Sequence, residues 1–207
     1  VGKKEDDEMK LCYKIKLMAA LGLLITILGC LRSDPARFYI LTSIVRAETD
    51  QTAKDRISLG VGPVTIPDYL DRPQIVTRAG LNEIRLAEFD KWAGSFKEAV
   101  SQTIAQNLSA MLNTDKIFVF PWREKPEYQA AVDIIRLDAG PGSNVTLEAR
   151  WSLWEKEGTK MLMIKTSHIT MPMNGNSYET IVSSESRALE ELSREIANHI
   201  LKLRTGN

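Results

Sequence analysis

The chain has 207 residues, with 27 Lys and Arg balanced by 27 Asp and Glu and only two cysteines. That neutral balance argues against a polyanion partner such as nucleic acid, which wants a concentrated basic face. Two cysteines exclude a disulfide-framed scaffold.

The chain opens on Val1-Gly-Lys-Lys-Glu-Asp-Asp-Glu8, then Met9, followed by Lys10, Lys14 and Lys16. Leu17 to Leu28 is twelve residues without a charge, ending in Gly29-Cys30. A basic region, a short apolar run and a small-residue cleavage point make a secretory signal. The run is shorter than the roughly 20 apolar residues that span a bilayer. Ile27-Leu28-Gly29-Cys30 resembles the bacterial lipobox, in which the Cys is lipidated and becomes the first residue of the mature protein. Residues 1–29 are therefore expected to be a signal peptide, whether Val1 or Met9 is the start, with 30–36 a tether and 37–207 the working domain. Two or three acyl chains, at about 0.8 kcal/mol per buried methylene, make a durable anchor. In such signals an Asp directly after the Cys favours inner-membrane retention. Leu31 stands there, so the expected site is the periplasmic face of the outer membrane. Subtracting the leader's five basic and four acidic residues leaves 22 basic and 23 acidic, and Cys12 goes with the leader.

After the tether, Phe38 to Leu41 reads as a strand and 47–55 as a polar loop. Arg56 to Ile66 alternates as a strand and ends near Pro63. Pro67 and Pro73 bracket a turn, and Gln74 to Arg78 is the next strand. A tight turn at 79–82 leads into Glu83 to Ala87. The first long helix is predicted from about Asp90 to Leu112, its stripe being Phe96, Val100, Ile104, Leu108 and Leu112. Ser95 and Glu98 have capping-box spacing, but a start at Asp90 also places Trp92 on the apolar face. Ile117 to Trp122 is a strand stopped by Pro121, Tyr128 to Leu137 is another, and 138–143 is a turn. Strict alternation from Val145 to Leu153 and a second arm from Lys160 to Met171 make a hairpin. A last helix, about Tyr178 to Leu203, buries Ile181, Ala188, Leu189, Leu192, Ile196, Ile200 and Leu203. The expected fold is a single compact α/β domain. Its sheet must be covered by two long amphipathic helices.

Catalytic chemistry finds little support. His168 and His199 lack further ligands at metal spacing, and adjacent Ser167 and His168 point to opposite faces of a strand. Gly60-Val61-Gly62 lacks the rest of a phosphate loop, and Glu190-Glu191 reads as a solvated face. No cofactor, metal or catalytic residue is expected. Trp151 and Trp154 lie on opposite strand faces, one in the core and one toward the surface. Trp122, at a strand end, or Trp154 is a candidate partner anchor because aromatics are enriched at interface hot spots.

The run Val61-Gly-Pro-Val-Thr-Ile-Pro-Asp-Tyr-Leu-Asp-Arg-Pro-Gln-Ile-Val-Thr-Arg78 resembles the signature of the PqiC/YmbA family of ABC-type transport auxiliary lipoproteins. Tyr39-Ile40-Leu41, Leu86 to Ala93, Asn107-Leu108, Phe120-Pro121-Trp122 and Ala149-Arg150-Trp151 match in order, so the resemblance covers nearly all of 37–203. It implies helices on both faces of a mixed sheet, a three-layer α/β/α arrangement, and an outer-membrane lipoprotein without catalytic residues. It also implies an MCE-domain inner-membrane partner, in some systems an ABC permease, and a homo-oligomeric ring. The expected function is docking an envelope transport system for lipids or other hydrophobic molecules at the outer membrane. The alternative is a lipid- or solute-binding lipoprotein with its own cavity. Within the signature, Tyr69 and Leu70 either fold back on the core or the rigid loop presents Tyr69, Arg72 and Gln74 to a partner.

Overall fold

The computed structural model describes residues 13–19, 34–45, 57–140, 144–155 and 158–205. Cys12, Cys30 and the polar loop expected at 47–55 lie outside them. The chain divides into two units, 1–35 and 36–207. In the first, residues 13–19 are helical. Among the described residues no helix is long and apolar enough to cross a membrane.

Among the described residues the second unit holds eight strands in one mixed sheet: β1 (Arg37–Tyr39), β2 (Leu59–Thr65), β3 (Gln74–Arg78), β4 (Ile84–Trp92), β5 (Ile117–Val119), β6 (Tyr128–Gly140), β7 (Asn144–Glu155) and β8 (Lys160–Pro172). Two helices pack on it, α1 (Phe96–Met111) and α2 (Tyr178–Thr205). The strand order is β1-β4-β3-β6-β2-β5, with β7 on β6 and β8 on β7. The long strand β6 pairs in parallel with β2 through its first half and with β3 near Ala139. Its other edge carries the antiparallel β7.

Alternation in β7 fixes which face is the core. Val145, Leu147, Ala149, Trp151 and Leu153 are all buried, while Thr146, Glu148, Arg150, Ser152 and Trp154 are exposed or half-buried. Their partners in register on β6 (Ala130, Val132, Ile134, Leu137, Ala139) share the buried face. The parity change across Ile134 and Arg136 is a bulge. Helix α1 packs on β2 and β5, α2 on β6, β7 and β8, and the helices pack on each other. Both therefore lie on one face. The three-layer expectation gives way to two layers, because the apolar alternation of β6 to β8 supplies one greasy face, enough for one helical layer.

The helix boundary near residue 90 also moves. Ser95, in extended conformation, is the N-cap of α1: its Oγ accepts the Glu98 N–H at 3.3 Å. Asp90 and Trp92 belong to β4 instead. The register of β3 on β4 jumps between Gln74–Lys91 and Val76–Leu86. This bulge moves burial from Ala87 to Asp90 and Trp92, and the broken alternation imitates a helical period. Trp92 still reaches the helix, stacking on Phe96 with ring centroids 4.5 Å apart. The turn expected at 138–143 likewise starts later, since β6 runs through Gly140.

The buried stripe of α2 matches expectation at Ile181, Ala188, Leu189, Leu192, Ile196 and Ile200, but Leu203 is exposed near the helix end. Ser177 caps the helix start, its Oγ accepting the Thr180 N–H.

One-sidedness has a direct test on adjacent positions of the sheet. Leu147→Ala is expected to cost about 2–5 kcal/mol in denaturant unfolding. Arg150→Ala, on the other face of the same strand, is expected to stay within about 0.5 kcal/mol. Comparable losses at both sites would require a second covering layer.

Candidate functional site

The signature's glycines are explained by what lies over β2. A Cβ on Gly60 would meet Pro126 at 2.7 Å and the Trp122 ring at 2.9 Å. At Gly62 a Cβ would meet the Phe120 Cβ at 2.6 Å, and its φ of +129° is strained for any side chain. Leu59 and Val61 are buried and share the helix side with Ala130. Gly60 and Gly62 thus face the helix-free side, where Phe120, Trp122 and Pro126 cover them. Phe120 and Trp122 meet edge to face, 5.3 Å between centroids. Trp122 is a half-buried cover, with part of its ring left for solvent.

The loop between β2 and β3 is held by its own backbone. Leu70 N donates to Pro67 O (2.9 Å), Arg72 N to Leu70 O (2.8 Å), and Trp92 N to Pro73 O (2.7 Å). Leu70 folds into the core, and Tyr69 is half-buried against it. Beneath Tyr69 lies a carboxylate between two guanidinium groups. Fully buried Asp138 accepts from Arg78 Nη2 and from Arg136 Nε, both at 2.9 Å. Asp138 points to the helix-free side, because Leu137 and Ala139 point inward. Its hydrogen bond raises the Arg78 pKa. Burial, then the Asp138 charge, raises the Tyr69 hydroxyl, with Arg78 and its hydrogen bond to Tyr69 opposing. Leu70 and Tyr69 thus fold back on the core, while Arg72 and Gln74 are half-exposed. Arg72 Nε is buried with no hydrogen-bond partner.

Tyr69, Arg72 and Gln74 therefore share one loop, and Trp122 stands apart on the same side. Gly60 is in register with Gln129, nine positions along β6 from Asp138. At about 3.3 Å per residue that separation is roughly 30 Å.

A polar cluster that sequence spacing did not foretell lies between β8 and α2. Trp151 Nε1 donates to Ser167 Oγ (2.9 Å), and Ser167 Oγ donates to Glu195 Oε2 (2.6 Å). Lys165 Nζ donates to the same oxygen (2.6 Å). The His199 ring meets Trp151 edge-on, and its Nδ1 lies 2.8 Å from the Glu195 carbonyl oxygen. The only hint in the sequence is that Lys165 and Ser167 share a face with Trp151. Ser167 is buried and donates to a carboxyl that also accepts from Lys165, so the cluster pins β8 to α2. His168 points away from Ser167 and lies 3.8 Å from Glu148 across the strands. Among the described residues no group of His, Cys, Asp or Glu could hold a metal ion.

Two carboxyls respond to pH in opposite ways. Burial opposes ionisation of Glu195, but hydrogen bonds from Lys165 and Ser167 outweigh it and hold the carboxyl below its ordinary 4.5. Glu185 is buried in α2 with Oε2 unpartnered. Burial first, then the Asp138 charge, pushes its carboxyl well above 4.5.

A family model for ABC-type transport auxiliary lipoprotein component matches residues 39–197. The chain belongs to that family. As a lipoprotein family auxiliary to ABC-type transport, it carries a membrane-anchored envelope location and a transport role for its members. Among solved structures, an uncharacterized protein superposes with a TM-score of 0.66 at 19% identity, covering 81% of this chain and 99% of that one. A protein from Xanthomonas campestris assigned to DUF330 superposes with 0.65 at 15% identity, covering 78% and 93%. These likenesses establish the fold. No curated protein matches the chain.

Linkage gives the first test of the site. A depressed carboxyl contributes stability above its unfolded pKa and loses it as pH falls through the folded one. A raised carboxyl costs stability as pH climbs above its unfolded value toward its folded one. Urea unfolding across pH is expected to show Glu195→Gln flattening the acid limb below about 4.5 and Glu185→Gln flattening the decline above it. Unchanged limbs in both variants would contradict these assignments. A second test is Gly62→Ala, expected to lower stability by more than 1 kcal/mol from strain and the Phe120 clash together.

Proposed function

We propose that this chain is a non-enzymatic lipoprotein subunit of an MCE/ABC-type envelope system for lipids or other hydrophobic molecules. Lipidated at Cys30 and held at the periplasmic face of the outer membrane, it docks the periplasmic part of an MCE-domain inner-membrane protein, with or without an ABC permease. The observation that carries the docking role is the helix-free sheet face with the rigid loop Pro67 to Gln74 at one end. There Arg72 keeps a buried Nε–H with no acceptor. A buried orphan donor costs about 1–3 kcal/mol, so docking that reorders the Arg72 side chain and gives its Nε–H an acceptor would recover that cost. The loop's internal hydrogen bonds leave little entropy to lose on docking. Tyr69, Arg72 and Gln74 form the near contact, and Trp122 forms a second contact farther along the same face. A homo-oligomeric ring would multiply such contacts and raise avidity without new chemistry.

Affinity capture of the tagged, full-length protein from detergent-solubilised envelopes is expected to bring down an MCE-domain protein. Arg72→Ala combined with Gln74→Ala is expected to lower recovery roughly tenfold, the effect of about 1.4 kcal/mol. Repeated capture without any such partner would refute the proposal. Cys30→Ser is expected to leave an unlipidated precursor that no longer fractionates with outer membrane.

A further inference from the structure

The turn joining β3 to β4 displays an apolar side chain that the fold does not use. Leu81 is 92% exposed. Ile84 and Leu86, on the β4 arm beside it, are also exposed at 37% and 46%. The display is rigid. Ala79 N donates to Glu83 O at 2.9 Å, closing the turn. Arg78 Nη1 donates to Leu81 O at 3.0 Å while the same guanidinium grips buried Asp138. A core ion pair thus fixes the backbone that carries the exposed leucine. Glu83 and Arg85 flank it as a loose pair, 3.9 Å apart, so the tip has no net charge of its own.

Strand direction says what this tip faces. β1 runs parallel to β4, with Arg37 opposite Asp90 and Tyr39 opposite Trp92. β1 and β4 therefore start toward the same end of the sheet, the end that holds Ile84 and the Leu81 turn. Arg37 is locked at this edge: Arg37 Nη2 donates to Asp90 Oδ2 (3.0 Å) and Tyr39 OH to Asp90 Oδ1 (2.8 Å). Residues 30–36 reach at most about 25 Å, at up to 3.6 Å each. From Asp90 back to Ile84 is roughly 20 Å of strand. The tether can therefore bring Cys30 level with the turn.

We propose that the β3–β4 turn is a second membrane contact: Leu81, supported by Ile84 and Leu86, enters the headgroup boundary of the leaflet that holds the lipidated Cys30. This rests on the lipid-anchor reading. A near-neutral, apolar tip suits a lipid surface without a demand for anionic headgroups. One leucine is a weak membrane binder by itself. A tether that short holds it at high effective concentration, so the contact sets orientation and the acyl chains set affinity. The sheet then stands with its β3–β4 end on the bilayer and its β7–β8 turn farthest away.

The test uses the full-length lipoprotein in phosphatidylcholine vesicles, with an environment-sensitive dye on Leu81→Cys or, as control, on Thr159→Cys in the turn between β7 and β8. Nitroxide-labelled phospholipid is expected to quench the dye at 81, with a blue shift, and to leave the dye at 159 bright. Protein that floats with the vesicles but is quenched at neither site overturns the inference and leaves the anchor standing. A blue shift at 81 that follows protein concentration and ignores nitroxide lipid identifies a second copy as the occupant, and also overturns it. Protein that does not float refutes the anchor reading, and the inference falls with it.

Discussion

Everything in this domain follows from a sheet that is greasy on one side only. The inward residues of β6 and β7 are fully or nearly fully buried under a single helical layer, while the outward set is polar or half-exposed. Burying one core aliphatic or aromatic side chain contributes about 1.5–3 kcal/mol, so this one face supplies most of the drive to fold. Its consequence is functional. Among the described residues the other face is free of helices, and it carries the loop over Asp138, the aromatic cover on Gly60 and Gly62, and the β3–β4 turn.

Polar groups at the edges of that core serve as fasteners. Asp90 ties β1 to the sheet through Arg37 and Tyr39. Asp138 joins β3 to β6 and positions Tyr69 and Leu81 through Arg78. Glu195 joins β8 to α2. Each is a carboxylate with hydrogen-bonded or charged partners, the condition under which burying one is tolerable. Glu185 departs from that rule, and its raised pKa is the physical consequence.

Regular alternation made much of the fold legible in the sequence. The β7–β8 hairpin and the stripes of both helices stand out because neighbouring positions differ sharply in polarity. The misplaced helix start has a local cause. Bulges in β4 and β6 change which parity faces the core, so Asp90 and Trp92 imitate a helix start. The three-layer arrangement was inferred from family resemblance, whereas the polar outward residues of β7 already argued for a single helical layer. The signature around Gly62 was recognisable as a pattern, but its reason, the side chains of Phe120 and Trp122, comes from sixty residues away. The Lys165–Ser167–Glu195 cluster joins elements about thirty residues apart, beyond any spacing rule. Long-range proximity of this kind is carried by topology, and topology is what a single sequence conceals most.

The account turns on the helix-free face being the one that engages partners. Hydrogen–deuterium exchange of the full lipoprotein, alone and after capture of its envelope partner, tests this directly. Slowed exchange in residues 67–74 and in the loop carrying Trp122, with α1 and α2 unchanged, is the predicted result. Protection confined to the exposed side of the two helices would contradict it.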